Sequence, residues 1–415
     1  MPEAGHQHRR GLILHTVAIV GGSLAGLRAA ETLRQEGFGG TVVIVEAEAG
    51  APYDRPPLSK QLLSGAWALA DARLPVDVDA LEVDWERGCR ATGLDLTARR
   101  LALADGRTIP FDGLVIATGA APRHLPGSGG LAGVHVLRTL DDCLAIKADL
   151  DAAPGRVVVV GAGFIGSEVA ATCRQQGHEV TVVEALPVPM ERILGTDLGS
   201  LTADLHRDHG VRVRLGVGVE ALEGGDRVER VRLADGSVVD ADVVVVGIGV
   251  APSTGWLEGS GLALDNGVVC DETCLAAPGV VAAGDIARWP NARFGEVMRV
   301  EHWENALEQG AAAARRLLAG DGPGERFEPV PWFWSDQYDR KIQLAGRSGP
   351  DDLVRVVHGS VDERRFVALF GRGGRVVGVL GVNRPRHVMQ WRARITESIT
   401  WEDGLALAAA EEAAA

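Results

Sequence analysis

The chain has 415 residues, which at roughly 150 residues per domain is enough for about three domains. Hydrophobic residues make up 46% and charged residues 24%, so the composition excludes a disordered or fibrous protein. The net charge of −14 argues against a general nucleic-acid binder, because neutralising phosphates requires a basic surface.

Residues 17–46 predict the first structural unit of the chain. An apolar run, VAIV, precedes a Gly-rich turn, GGSLAG, an alanine-rich helix and a second apolar run that ends at Glu46. Residues 157–184 repeat this order with VVVV, GAGFIG, a helix and a run that ends at Glu184, and the turn glycines of the two copies lie 140 residues apart. Two copies indicate two strand–helix–strand units that each bind a dinucleotide.

Each turn has the features of a pyrophosphate-binding site. Continuous Val and Ile runs suit buried parallel strands, the first glycine makes the tight turn, and the last glycine lets the helix pack close to the strand. The helix N-terminus attracts phosphate, and the acid that ends the second strand is placed to bind a ribose hydroxyl. The predicted binding residues are Gly21, Ser23, Leu24, Ala25, Gly26 and Glu46 in the first copy, and Gly161, Gly163, Ile165, Gly166 and Glu184 in the second.

The two copies differ in ways that bear on the ligand. Ser23 replaces the middle glycine in the first copy, and its hydroxyl can itself meet a phosphate. Glu48 is an alternative to Glu46 as the ribose ligand. Glu184 favours a free 2′-hydroxyl and repels a 2′-phosphate, so the second copy is predicted to bind NADH rather than NADPH.

Further apolar runs continue this plan along the chain. LVIATGA (114–120) and VVVVGIGVAP (243–252) end in small residues and bracket the second copy, and VVAAGDIAR (280–288) ends in a Gly-Asp pair. Asp285 can accept a hydrogen bond from a polyhydroxyl chain or can be an ordinary helix N-cap. Trp332 and Trp334 are expected on one face of a strand, either as a platform beside a flat ring or as core residues.

Charge and cysteine content restrict the chemistry further. Residues 331–396 hold twelve Lys and Arg against six Asp and Glu, a local charge of +6 that can attract an acidic partner. Five cysteines without a C-x-x-C pair suit a reduced, cytoplasmic protein and argue against disulfide reductases and single-cysteine NADH oxidases or peroxidases. No apolar run reaches the length of a membrane span, and no Cys/His set predicts a metal site.

The order of motifs resembles the FAD-dependent NADH:ferredoxin reductases, the family of putidaredoxin reductase and of the ferredoxin reductase components of dioxygenases. The resemblance covers residues from about 14 to about 395 and rests on GGSLAG, YDRPPLSK (53–60), IATG (116–119), GAGFIGSE (161–168), GIG (247–249), AAGD (282–285), NALEQG (305–310), PWFWSDQY (331–338) and VNRP (382–385). It implies an α/β fold with two Rossmann-like, glutathione-reductase-like dinucleotide-binding domains and a small C-terminal α/β domain. The implied divisions are an FAD-binding domain (1–120 and 252–326), an NAD-binding domain (121–251) and a C-terminal reductase domain (327–415).

The resemblance also implies roles for individual residues. Lys60 would lie by the flavin ring and stabilise negative charge on it, and Trp334 would border the exposed ring edge. Glu168, expected on the first turn of its helix, is predicted to pair with Lys60 and gate nicotinamide stacking, although an acid there can also simply offset the helix dipole. Further cofactor contacts are implied for Arg55, Ala91, Thr118, Gly119, Arg138, Gly249, Gly284, Asp285 and Trp303.

The implied activity is that of a ferredoxin–NAD⁺ reductase. Electrons would pass from NADH through FAD, one at a time, to a two-iron, two-sulfur ferredoxin that serves a cytochrome monooxygenase or a ring-hydroxylating dioxygenase. We expect a cytoplasmic monomer or weak homodimer with no nucleic-acid or membrane partner. A rubredoxin or quinone reductase, and a redox-switch flavoprotein similar to apoptosis-inducing factor, remain as alternatives. The candidate docking residues for ferredoxin are Arg340, Lys341, Arg384 and Arg386, with Arg347, Arg315 and Arg316 as further candidates.

Overall fold

The computed structural model describes residues 14–128, 130–152 and 155–413. The sequence begins with a basic stretch, MPEAGHQHRRGLILH, which we predict to be a tail that leads into the first strand. This stretch lies outside the described residues, apart from Leu14 and His15. The described residues form 27 strands and eight α-helices, numbered in chain order.

The strands are β1 Thr16–Val20, β2 Thr41–Glu46, β3 Asp84–Arg87, β4 Ala91–Asp95, β5 Arg100–Leu103, β6 Thr108–Pro110, β7 Gly113–Ile116, β8 Ala120–Pro122, β9 Val134–Val136, β10 Arg156–Val160, β11 Glu179–Glu184, β12 Arg212–Leu215, β13 Val219–Gly224, β14 Val228–Leu233, β15 Val238–Asp240, β16 Val243–Val246, β17 Val250–Pro252, β18 Val268–Val269, β19 Leu275–Ala277, β20 Val280–Ala282, β21 Ala287–Asn291, β22 Glu296–Met298, β23 Trp332–Gln337, β24 Arg340–Gly346, β25 Leu353–Ser360, β26 Arg365–Arg372 and β27 Arg375–Val382. The α-helices are α1 Leu24–Gln35, α2 Leu140–Ala152, α3 Phe164–Gln175, α4 Glu191–Gly199, α5 Leu201–Asp208, α6 Trp303–Leu318, α7 Pro385–Thr396 and α8 Trp401–Ala413. Short 3-10 helices cover Pro56–Ser59, Leu69–Ala72, Gly255–Leu257 and Gly284–Ile286.

The chain divides into two compact units. Among the described residues, the first unit contains those up to Tyr53, Leu74–Ala120 and Pro252–Pro329. The second contains Asp54–Arg73, those between Ala121 and Ala251, and those from Val330 onward. The resemblance implies that the first FAD-binding segment is continuous from 1 to 120, whereas the structure places Asp54–Arg73 in the second unit. It also groups 121–251 with the C-terminal residues.

A six-stranded sheet forms the centre of the first unit, in the order β19-β20-β7-β1-β2-β3. Strand β1 lies between β2 and β7 and is parallel to both. Val17 and Ile19 on one face pack with α1 and α6, while Ala18 and Val20 pack in a second core on the other face. The continuous apolar run predicted from VAIV therefore reflects burial on both faces.

The second unit contains a matching parallel sheet, in the order β12-β11-β10-β16-β9. Strand β10 lies between β11 and β16 and is parallel to both. Val158 and Val160 pack in a core with residues of the antiparallel sheet β13-β14-β15. The first strand and the helix thus recur 140 residues later and the second strand 138 residues later. This recurrence confirms the predicted α/β fold with two Rossmann-like units.

The C-terminal part of the second unit is a five-stranded antiparallel sheet, in the order β23-β24-β27-β26-β25, followed by α7 and α8. Apolar side chains of α4 and α5 share one core with this sheet, which explains why the two segments group together. That core includes Leu194, Leu198, Leu201, Leu205, Ile342, Leu344, Phe366, Phe370 and Leu380. Within the described residues, none of the helices is both long and apolar enough to cross a membrane.

Candidate active site

The two Gly-rich turns have nearly the same backbone geometry. Gly21 has φ of +104° and Gly161 has φ of +102°, a region that residues with a side chain rarely adopt. A Cβ on Gly21 would lie 2.2 Å from the Ala117 carbonyl oxygen, and one on Gly161 would lie 2.4 Å from the Gly247 carbonyl oxygen. Both turns therefore require glycine at their first position.

The last glycine of each turn is required by the close approach of helix and strand. A Cβ on Gly26 would lie 1.8 Å from the Gly21 carbonyl oxygen, and one on Gly166 would lie 2.2 Å from the Gly161 carbonyl oxygen. These distances are far below van der Waals contact, so any side chain would push the helix start away from the turn.

The middle position explains why the two copies can differ. Ser23 and Gly163 are the N-caps of α1 and α3, and both have extended backbone that any residue can adopt. A Cβ on Gly163 would have no neighbour closer than 4.0 Å, and the Ser23 side chain makes no capping hydrogen bond. The helix N-terminus thus faces open space at this position, which fits a pyrophosphate group.

The acids that end β2 and β11 are bound to the turns in the same way. Glu46 Oε2 accepts a hydrogen bond from the Gly22 amide at 2.6 Å, and Glu184 Oε2 accepts one from the Ala162 amide at 2.8 Å. The second oxygen of each accepts from the amide two residues further along the chain. Glu48 instead accepts a hydrogen bond from the Tyr53 hydroxyl. Glu46 rather than Glu48 is therefore held at the turn, where a ribose would lie.

Within the first unit, separate motifs meet at the start of α1. Gly284 has φ of +76°, and a Cβ there would lie 3.1 Å from the Ala25 Cβ. The NALEQG glycine, Gly310 of α6, would meet the Ala25 carbonyl oxygen at 2.5 Å if it carried a Cβ. Trp303 is the first residue of α6. Asp285 lies within the 3-10 helix Gly284–Ile286, so it is not the N-cap of that helix.

Other candidate cofactor residues lie at strand ends and turns. Ala91 is the first residue of β4. The Thr118 hydroxyl donates to the Ser253 carbonyl at 3.2 Å, and Gly119 has φ of +65°. Gly249, in the second unit, has φ of +91°.

In the second unit, Arg55 and Arg138 are brought together by a hydrogen bond of 2.7 Å from Arg55 Nη1 to the Arg138 carbonyl. These residues are 83 positions apart in the sequence. The PPLS part of the motif forms the 3-10 helix Pro56–Ser59, whose first residues are prolines and whose C-cap is Lys60. Proline fixes the backbone there, so the direction in which Lys60 leaves the turn is constrained.

The predicted ion pair between Lys60 and Glu168 is present. Lys60 Nζ lies 2.7 Å from Glu168 Oε2, and the side chains are only 12% and 6% exposed. Glu168 is the fifth residue of α3, so the expectation that it lies on the first turn is wrong. Because the helix dipole acts mainly on the first turn, this position weakens the alternative role as a dipole-compensating acid.

Two serines that sequence reasoning did not single out complete the environment of Glu168. The Ser59 hydroxyl donates to Oε2 at 2.5 Å, and the Ser335 hydroxyl donates to Oε1 at 2.8 Å. Both serines are buried. Each lies inside a motif that carries the resemblance, but its partner Glu168 is more than 100 residues away, so the sequence held no signal that pairs either serine with it.

The aromatic strand β23 has two different faces. Trp332 and Trp334 lie on the same face with ring centroids 5.4 Å apart, as expected. Phe333, Ser335 and Gln337 alternate with them and face α3, where the Phe333 ring packs edge-on against Phe164 at 4.6 Å. The strand is therefore fixed to the helix of the second turn by its opposite face.

The candidate docking cations are mostly engaged within the chain. Lys341 Nζ pairs with Asp336 at 2.8 Å, and Arg340 pairs with Asp339. Arg384 and Arg386 line a cavity of about 410 Å³ near the start of α7. In the first unit, Arg315 pairs with Glu36 at 2.7 Å, and Arg316 Nε donates to the Thr273 hydroxyl at 2.9 Å.

The five cysteines are all free and buried. Burial raises the pKa of the Cys143 thiol to about 11 and the pKa values of Cys173 and Cys270 to about 12. Burial also raises the pKa of Cys274. The four thiols with raised pKa values are protonated at neutral pH, so none of these four has the lowered pKa of a redox-active cysteine.

Comparisons with known proteins place these features in a family context. A family model described as pyridine nucleotide-disulphide oxidoreductase matches residues 15–310, and one described as reductase C-terminal matches residues 332–412. The chain is 40% identical over 386 residues to rhodocoxin reductase of Rhodococcus erythropolis, covering 91% of this chain and 88% of the relative. It is 36% identical over 400 residues to putidaredoxin reductase of Pseudomonas putida, covering 94% and 93%. The crystal structure of the covalent putidaredoxin reductase–putidaredoxin complex is similar with a TM-score of 0.88 at 35% identity, covering 92% of this chain and 93% of that chain.

Proposed function

The chain belongs to the pyridine nucleotide-disulphide oxidoreductase family, and we propose that it is an FAD-containing ferredoxin–NAD⁺ reductase that passes electrons from NADH, one at a time, to a small iron–sulfur ferredoxin. The observation that carries the proposal is the duplicated turn, with its matched glycines and matched acids. Two dinucleotide sites in one chain are what electron transfer from NADH to FAD requires. The relatives named as reductases of rhodocoxin and putidaredoxin support the choice of acceptor.

The residues of each unit suit one cofactor. In the first unit, the turn from Gly21 to Gly26, together with Glu46, would hold the FAD pyrophosphate and ribose. In the second unit, the turn from Gly161 to Gly166 and Glu184 would hold NADH. When bound, FAD supplies the chemistry that accepts two electrons as hydride and returns them singly. Residues 121–251 would then be the NAD-binding domain, and 327–415 the C-terminal reductase domain.

In this proposal, Lys60 is the positively charged residue by the flavin ring, and Glu168 is its ion-pair partner. The Lys60 ammonium is nearly buried, where its field is screened less by water than at the surface. An ammonium by the flavin ring would stabilise negative charge that develops there on reduction. Glu168 holds the ammonium in one direction and would gate nicotinamide stacking, while Trp334 would border the ring edge.

The acceptor would be a two-iron, two-sulfur ferredoxin that serves a cytochrome monooxygenase or a ring-hydroxylating dioxygenase. We assign docking to the basic C-terminal residues, with Arg384 and Arg386 ahead of Arg340 and Lys341, because the latter two already pair with aspartates. Raising the salt concentration should lower the ferredoxin-dependent rate much more than reduction of a neutral dye. Equal salt sensitivity of the two rates would rule out the assignment of ferredoxin docking to these basic residues.

The test of the proposed function is anaerobic stopped flow on the purified protein, followed by flavin absorbance. NADH should bleach the flavin rapidly, and a two-iron ferredoxin should then reoxidise it. Lys60→Met should slow bleaching by about tenfold or more, since loss of one favourable charge interaction of 1.4 kcal/mol is a factor of ten. Lys147→Met is the matched control, because Lys147 pairs with Asp151 on the surface, and it should leave the rate unchanged.

The alternatives predict different traces in the same experiment. Slow bleaching, a long-lived flavin–NAD charge-transfer band and no response to ferredoxin would indicate a redox-switch flavoprotein. Rapid bleaching with reoxidation by rubredoxin or quinone, but not by ferredoxin, would indicate a reductase with a different acceptor. The free cysteines support a cytoplasmic location, and a monomer or weak homodimer completes the proposal.

A further inference from the structure

The two oxygens of the Glu168 carboxylate are bound by different parts of the chain. Oε2 accepts from Lys60 and Ser59, which belong to one short segment. Among the described residues, the donor that reaches Oε1 is Ser335 of β23, at 2.8 Å. Three segments, separated by more than 100 residues in the sequence, thus meet at one buried carboxylate.

The Ser335 hydroxyl is held in a defined direction. Ser335 is fully buried, and its Oγ accepts a hydrogen bond of 3.1 Å from Gln337 Nε2. The bond from Gln337 occupies one lone pair of that oxygen, and the single hydroxyl proton is donated to Glu168 Oε1. Gln337, Ser335, Glu168 and Lys60 therefore form a continuous hydrogen-bonded chain in which each group orients the next.

The position of Ser335 along β23 connects this chain to the aromatic face. Ser335 directly follows Trp334, and successive residues of a strand point to opposite faces. The backbone that positions Trp334 thus also positions the hydroxyl on Oε1. A carboxylate with one oxygen unbound would rotate and offer either oxygen to the ammonium, whereas a carboxylate bound at both oxygens is fixed.

We propose that Ser335 is a positioning residue: by binding Oε1 of Glu168 it keeps Oε2 on the Lys60 ammonium, and it thereby ties the placement of that charge to the strand that carries Trp334. This inference rests on the proposed function, in which Lys60 lies by the flavin. Ser335 acts through Glu168 and does not itself take part in the reaction.

The test is a double-mutant cycle with Ser335→Ala, Glu168→Gln and the double variant. Two quantities are measured: the first-order rate constant of flavin reduction by NADH, and the flavin midpoint potential from a dithionite titration. Ser335→Ala should lower the rate constant about tenfold, as expected for the loss of one hydrogen bond to a charged group, with the dissociation constant of NADH changed less than twofold. It should shift the potential in the same direction as Glu168→Gln. In the Glu168→Gln background it should change neither quantity further.

Two further variants separate positioning from packing. Ser335→Cys keeps a weak donor at the same place, so its rate constant should lie between those of Ser335 and Ser335→Ala. Ser348→Ala removes a hydroxyl that is buried without a hydrogen-bond partner among the described residues of the same unit, and it should behave like the unchanged protein.

Additive effects of Ser335→Ala and Glu168→Gln, or no effect of Ser335→Ala on rate and potential, would overturn the inference. The dithionite titration needs neither NADH nor ferredoxin. The coupling between Ser335 and Glu168 is therefore measured even if NADH proves not to be the donor, an outcome that would count against the proposed function instead.

Discussion

Replacing Lys60 by methionine tests whether the buried ion pair stabilises the second unit. Methionine keeps most of the length and the apolar stem of lysine but removes its charge. Glu168 would then remain as a buried carboxylate, 6% exposed, without the ammonium that now lies 2.7 Å away. The change therefore isolates the charge interaction from the packing of the side chain.

The magnitude follows from the burial of the pair. Removing one partner of a buried ion pair costs about 3–5 kcal/mol, because the other charge stays desolvated. Glu168 keeps the hydroxyl donors Ser59 and Ser335, so we expect the lower end, about 3 kcal/mol of the free energy of unfolding. The double variant Lys60→Met with Glu168→Gln carries no unpaired charge and should recover about 2 kcal/mol of that loss.

Urea denaturation followed by tryptophan fluorescence measures this loss, since Trp332 and Trp334 belong to the same unit as the pair. Lys147→Met is the control. Lys147 and Asp151 are 30% and 57% exposed, and such a surface pair contributes less than about 0.5 kcal/mol. A loss for Lys60→Met as small as that of the control, or a double variant no more stable than the single one, would refute the reasoning.

Three further predictions concern other parts of the chain. Gly166→Ala should lower the free energy of unfolding by more than about 2 kcal/mol, because its Cβ would lie 2.2 Å from a carbonyl oxygen. Gly163→Ala should lower the free energy of unfolding by less than about 1 kcal/mol, and urea denaturation measures both variants. Glu184→Ala should reduce the preference for NADH over NADPH by about tenfold, measured as the ratio of kcat/KM values. Burial, with the neighbouring His209, lowers the pKa of His206 to about 4, so the unfolded chain takes up this proton at a higher pH than the folded chain does. As the pH is lowered from 6.5 to 4, the free energy of unfolding should therefore fall by up to about 1.4 kcal/mol per pH unit. His206→Gln should lack this pH-dependent loss in denaturation curves measured at several pH values.

The sequence alone predicted the parts of the fold that repeat. The two turns could be recognised because steric requirements at Gly21 and Gly26 recur at Gly161 and Gly166, and such requirements leave a fixed spacing in the sequence. The ion pair of Lys60 with Glu168 was predicted from motifs rather than from spacing. Lys60 and Glu168 lie 108 positions apart, and no periodic pattern in the sequence connects them.

The grouping of the chain could not be predicted in the same way. Asp54–Arg73 belong to the second unit, and that unit also includes the C-terminal sheet, because apolar residues of α4 and α5 share a core with it. A pattern of apolar residues shows which face of an element is buried but not which distant element covers it. The role of Ser335 was missed for the same reason, since its partner lies 167 residues away.

The burial of the five thiols has a consequence for the by-product of the proposed reaction. Reduced flavoproteins react with dioxygen and release hydrogen peroxide, which oxidises thiolates far faster than thiols. All five cysteines are buried, and burial raises the pKa of four of them. Peroxide released from a bound flavin would therefore meet no accessible thiolate on this chain. If the chain carries out the proposed reaction in air, its own cysteines would therefore be protected from the peroxide that the reaction releases.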